Sequence, residues 1–153
     1  MLNPKDRYWV VVADSGRARI LEMRRKPYAF RLVTDYDSVA RHRTSKELVS
    51  DAAGRVYNTQ GPGTHAMQPR SDPHQAAEEQ FAHDLALRVG KAAGEGRFDR
   101  LALIADARTL GRLRRDLGKD VSGRVVEERS LDLTGLSLHD LEPRVRNILG
   151  WAA

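Results

Sequence analysis

Two aspartates in this 153-residue chain each follow an apolar run that ends in alanine. Asp14 follows Tyr8-Trp9-Val10-Val11-Val12-Ala13, and Asp106 follows Leu101-Ala102-Leu103-Ile104-Ala105. If the two runs are neighbouring parallel strands, both carboxylates emerge at one edge of the sheet. Paired carboxylates there can hold Mg²⁺ for phosphodiester hydrolysis, with Asp51 or Glu47 as a third ligand. The same aspartates also suit ordinary structural tasks. Asp14 opens an Asp-Ser-Gly turn, and Asp106 stands where a helix cap belongs. Only two acids are placed, and such chemistry asks for more. No catalytic residue is therefore assigned, a non-enzymatic protein is preferred, and a metal-dependent phosphodiesterase using Asp14 and Asp106 is the alternative.

Cations form the second pattern. Arg108, Arg112, Arg115 and Lys119 are spaced i, i+4, i+7, i+11, one stripe of a helix opposite Leu110, Leu113 and Leu117. Such a stripe can neutralise several phosphates, and binding through it weakens with salt. It is equally the solvated face of an amphipathic helix. Further cations lie in a Gly- and Pro-rich stretch at about residues 38–73: Arg41, Arg43, Lys46, Arg55 and Arg70, with His42 and His65. There Gly61-Pro62-Gly63 permits close backbone approach to a ligand, and Tyr57 can stack on a base. Gly54 suits either such an approach or a positive-φ turn, and Arg55 can pair with Asp51 to hold the stretch in place.

The elements that must position these residues follow from the patterning. Tyr8–Ala13 reads as a buried strand and Arg17–Met23 as its return after the Asp14-Ser15-Gly16 turn. Lys26-Pro27 breaks that strand, and Tyr28 to Asp35 alternates, with Phe30, Leu32 and Thr34 on one side. A structureless connection as long as 38–73 is unusual in a compact domain and is commonly functional or disordered. Asp72-Pro73-His74-Gln75 is a helix start, with Asp72 as N-cap and Pro73 in the first turn. Phe81, Leu85 and Val89 carry that helix to Gly94 or Gly96. A strand over 99–105, a helix over 109–117, a strand over 124–129 and a helix over 138–149 complete the order. Pro143 should bend the last helix or delay its start. Trp151 is left for the core or for a contact between copies, so a homo-oligomer stays open. The expected fold is one α/β domain over 1–153, a three-layer sandwich with a mixed, mostly parallel five-stranded sheet and strands one and four central.

Composition sets the outer limits. The formal net charge is +5, with 13 Lys and Arg against 8 Asp and Glu in residues 1–75 and 13 of each in 76–153. Basic excess in one half suits a polyanion. Cysteine is absent, which excludes disulfides, thiol catalysis and thiolate metal sites. The five histidines form no metal pattern, and there is no dinucleotide fingerprint, P-loop or nucleophile elbow, so no metal or cofactor is expected. No apolar run is long enough to span a bilayer, and the charged start Asn3-Pro4-Lys5-Asp6-Arg7 lacks the apolar region of an export signal. The expected location is the cytoplasm.

Several segments together resemble the bacterial host-attachment protein family. They are Trp9-Val10-Val11-Val12-Ala13-Asp14 with Ala18-Arg19-Ile20, then Glu47-Leu48-Val49-Ser50-Asp51-Ala52-Ala53-Gly54-Arg55. Phe81-Ala82, Phe98-Asp99-Arg100-Leu101 and Leu110-Gly111-Arg112-Leu113-Arg114 follow in order. The resemblance marks Glu47, Asp51, Gly54 and Arg55 as a loop motif, beside Gly61, Gly63 and His65. The layout is also remotely similar to the middle domain of archaeal and eukaryotic class-1 peptide-release factors, which implies a ribonuclease-H-like topology and contact with RNA or the ribosome. The release factors' Gly-Gly-Gln is missing; Gln60-Gly61-Pro62-Gly63-Thr64-His65 stands in its place. The expectation is a non-enzymatic domain binding RNA or the ribosome through the basic loop and the helix stripe. The family's name also admits an attachment factor at the cell surface.

Overall fold

The computed structural model describes residues 3–37 and 72–151. Its opening is a meander: β1 (Arg7–Ala13), β2 (Arg17–Arg25) and β3 (Tyr28–Asp37). After it come α1 (Pro73–Gly94), β4 (Arg100–Ala105), α2 (Ala107–Asp116), the short α3 (Lys119–Ser122), β5 (Val125–Ser130) and α4 (Leu138–Ile148). The strands form one sheet in the order β3-β2-β1-β4-β5. The apolar β1 lies in the middle with β4 beside it, as the patterning requires. β1 pairs antiparallel with β2 and parallel with β4, β2 pairs antiparallel with β3, and β4 pairs parallel with β5. The sheet is thus evenly divided rather than mostly parallel, because the hairpins of the meander contribute as many pairings as the two crossovers.

Alternation along β1 and β4 sorts the core into two layers. Trp9, Val11 and Ala13, with Leu101, Leu103 and Ala105, face α1 and α2, meeting Phe81, Leu85, Val89, Leu110 and Leu113. Tyr8, Val10 and Val12, with Ala102 and Ile104, face α4 through Leu141 and Val145. Helices therefore cover both faces, and both central strands are apolar after their first residues, Arg7 and Arg100. Trp151 belongs to the second layer, its ring 4.9 Å from that of Tyr8, so the core claims it.

Local chemistry sets the ends. Asp72 caps α1 by accepting from His74 N at 2.9 Å, with Pro73 in the first turn. Ser137 caps α4, which starts at Leu138 despite Pro143. In β3 the simple alternation fails. The register shifts between Ile20 and Leu21, whose partners are Thr34 and Leu32, so Val33 is the extra residue of a bulge. Phe30 packs in the α4 layer, whereas Val33 and Tyr36 pack under α1.

Candidate functional site

The register puts Ala13 opposite Ala105 in the parallel β1–β4 pair. Asp14 and Asp106, one residue further on, therefore leave the sheet at the same edge. They line a recess of about 270 Å³ together with Ser15, Glu78, Arg108 and Asp132. The carboxylates already have structural work. Asp14 Oδ1 accepts from Gly16 N at 2.9 Å and Arg17 N at 2.8 Å, closing the β1–β2 turn. Asp106 Oδ2 accepts from Thr109 N at 3.1 Å and caps α2. The buried Thr134 hydroxyl sits 2.9 Å from Asp14 Oδ2 and 2.8 Å from Asp132 Oδ1, and its single proton serves one of them at a time. Among the described residues, no group of three or more His, Asp and Glu side chains is placed to hold a metal ion. Glu47 and Asp51 lie outside the described residues.

Asp132 and Glu78 were not singled out in the sequence. Asp132 follows the half-exposed β5 by two residues, so no apolar run announces it as those before Asp14 and Asp106 do. Glu78 sits in the second turn of α1, beside Glu79 and Gln80.

The cationic stripe does not survive as one surface. α2 ends at Asp116 and Lys119 belongs to α3, beyond Leu117 and Gly118. Arg112 is only 9% exposed and donates to Glu78 Oε1 at 2.9 Å, tying α2 to α1. Arg108, 73% exposed, reaches the same carboxylate at 3.9 Å, and Arg115 pairs with Asp116 at 3.2 Å. The i, i+4 spacing from Arg108 to Arg112 is helical as expected, but α2 packs on α1 over a wider face than the leucines alone. Arg41, Arg43, Lys46, Gly54, Arg55, Gly61, Gly63 and His65 lie outside the described residues.

The model of a family described as proteins required for attachment to host cells matches residues 9–145. The chain belongs to this family. No curated protein matches it.

Charge in this family member is sorted along the strands. The C-terminal edge of β1 and β4 carries the recess just described. The opposite edge is formed by the start of β1, the β2–β3 hairpin and the entry to β4, since Arg7 is opposite Arg24 and Tyr8 opposite Arg100. Ion pairs brace it: Arg7 with Asp99 at 3.2 Å and Arg100 with Asp6 at 3.3 Å. Hydrogen bonds from Arg7 hold the Asp99 carboxyl below the usual carboxylate range. Around these pairs, Lys5, Arg25, Lys26 and Arg97 are exposed and have no carboxylate within ion-pair distance among the described residues. Among the described residues no helix is long and apolar enough to cross a membrane.

Proposed function

We propose that this host-attachment family protein is a non-enzymatic domain that binds RNA, free or on the ribosome, with its basic edge against phosphates. The observation that carries the reading is the segregation of charge. Lys5, Arg25, Lys26 and Arg97 stand at one edge with no ion-pair partner among the described residues, while the acidic recess lies at the other. Unpaired, solvated cations gathered on one surface are the electrostatic footprint of a polyanion site. The loop cations Arg41, Arg43, Lys46 and Arg55, and the exposed Arg115 and Lys119, add phosphate contacts in the same reading; Arg108 lines the recess at the opposite edge and is not part of it. Lys119 precedes β5 and so leads into the basic edge.

The strand order β3-β2-β1-β4-β5, a meander followed by parallel strands with helices on both faces, supports a ribonuclease-H-like, release-factor-like arrangement and hence the ribosome as the place where RNA is met. That support is analogy of fold only. Without Gly-Gly-Gln, peptide release is not part of the proposal. Host attachment is then a consequence of RNA or ribosome binding in the cytoplasm, and the protein should fractionate with the cytoplasm rather than the envelope.

Cosedimentation with ribosomes, and binding to labelled ribosomal RNA, test this directly. Binding at about 50 mM salt should be lost by about 300 mM, as counterion release requires. R25E/K26E should weaken it by about tenfold or more. No association at low salt overturns the proposal.

The second reading, a metal-dependent phosphodiesterase, is favoured by one observation: Asp14, Asp106 and Asp132 share a recess. Mg²⁺-dependent cleavage of RNA that disappears in Asp106→Asn would establish it in place of the first.

A further inference from the structure

A second depression, about 520 Å³, lies between the C-terminal half of α1 and the β1–β2–β3 side of the sheet. Its floor is Trp9, Ile20, Val33 and Ala92, and its rim carries Arg88, Lys91 and Arg97, with Glu95 the one acid among the described residues lining it. Its size is that of a small-molecule site, and an apolar floor under a few convergent charges is the usual make-up of one.

The three cations differ from most arginines of the molecule. Most arginines here lie against carboxylates; Arg7, Arg17, Arg31, Arg112 and Arg124 are examples. Arg88, Lys91 and Arg97 have no such partner among the described residues, Glu95 included. Two of them are nevertheless held in place. The Arg88 guanidinium lies 3.8 Å from the centre of the Tyr36 ring, which itself stacks on Phe81, and Arg97 lies 5.2 Å from the centre of Trp9. An arginine held by its flat face keeps its N–H edge for a planar or tetrahedral anion, and less side-chain freedom is lost when the anion arrives. Trp9 adds a buried indole N–H that has no acceptor among the described residues. A buried donor without a partner is uncommon and calls for an explanation, which an acceptor arriving from outside would supply.

We infer that this cleft is a binding site for a small organic anion, a carboxylate or phosphate monoester on an apolar body, gripped by Arg88, Lys91 and Arg97 over the Trp9 floor. Arg97 also stands at the basic edge, so the cleft adjoins that surface, while Arg88, Lys91 and Trp9 belong to the cleft alone. The carboxylate and the phosphate ester share the chemistry that the cleft recognises, and matched probes separate them.

The two tryptophans give the test its internal control. Trp151 packs against Tyr8 in the opposite core layer, so only the Trp9 indole should respond. The full chain, labelled with ¹⁵N, is titrated with phenyl phosphate, with benzoate and with neutral benzyl alcohol, and both indole N–H resonances are followed. W151F assigns them. The expected result is a saturable shift of the Trp9 resonance with phenyl phosphate or benzoate, whichever binds more tightly naming the head group. Benzyl alcohol should give none. R88Q and R97Q, both solvent-facing changes, should each weaken binding by about tenfold. Equal response to benzyl alcohol, a shift of Trp151 alone, no saturation by either anion, or unchanged affinity in both variants overturns the inference.

Discussion

Asp14 and Asp106 stand one residue beyond a matched alanine pair, Ala13 opposite Ala105, and so open into one recess while each closes a different piece of backbone. The first ties the turn into β2 and the second caps α2. Their shared position is a consequence of parallel pairing. Their backbone hydrogen bonds are those of a turn and a cap, and Asp14 also lies within reach of the Thr134 hydroxyl.

Asp106→Ala should therefore behave as the loss of a cap. Destabilisation of about 1 kcal/mol is expected, read as a lower urea midpoint with an unchanged m-value. Binding to RNA should stay at the wild-type level, since the residue lies at the edge opposite the basic one. A loss of RNA binding without a loss of stability would assign the recess a direct role.

Arg112 and Arg115 should separate cleanly. Arg112→Ala removes the buried tie between α2 and α1, leaves Glu78 with only the longer contact to Arg108, and should cost about 2 kcal/mol in chemical denaturation. Arg115, 58% exposed and paired with its neighbour Asp116, should tolerate alanine within about 0.5 kcal/mol. Equal effects of the two substitutions would contradict the placement of α2 against α1.

These two arginines also mark where the sequence is readable and where it is not. Helical spacing put them on one helix, but periodicity cannot say which cations a neighbouring helix will cover; Glu78, 34 residues earlier, decides that for Arg112. The strands are legible because Tyr8–Ala13 and 101–105 are continuously apolar, and their parallel pairing is what brings Asp14 and Asp106 to one edge. The bulge at Val33 was not legible, since alternation through Phe30, Leu32 and Thr34 looks regular until β2 fixes the register. Asp132 and Thr134 escaped for a related reason: β5 is too exposed to announce its end. The cleft cations were hidden because Arg88 and Lys91 look like any solvated face of α1 until Tyr36 is placed beneath Arg88.

Acid should weaken the fold through two ion pairs. Arg17 holds the Asp35 carboxyl, and Arg7 the Asp99 carboxyl, below the usual range. A carboxylate whose pKa is lower folded than unfolded stabilises fully above the unfolded value, about 3.9, and loses that contribution as pH falls through the folded value. Urea midpoints should thus decline below about pH 4. Asp99→Asn should flatten the decline. Both pairs are partly exposed, so about 0.5 M NaCl should shrink the effect. An acid limb identical in wild type and D99N would remove the Arg7–Asp99 pair as its cause.

The most direct test of RNA binding is cosedimentation with purified ribosomes across a salt series, wild type beside R25E/K26E. Wild type should pellet with ribosomes at about 50 mM salt, with affinity falling along a log–log slope of about −3 or steeper, the four basic-edge cations alone giving about −3 and each loop or helix contact steepening it. The charge-reversed protein should stay in the supernatant. Wild type remaining in the supernatant at the lowest salt, or both proteins pelleting alike, would contradict RNA binding at the basic edge.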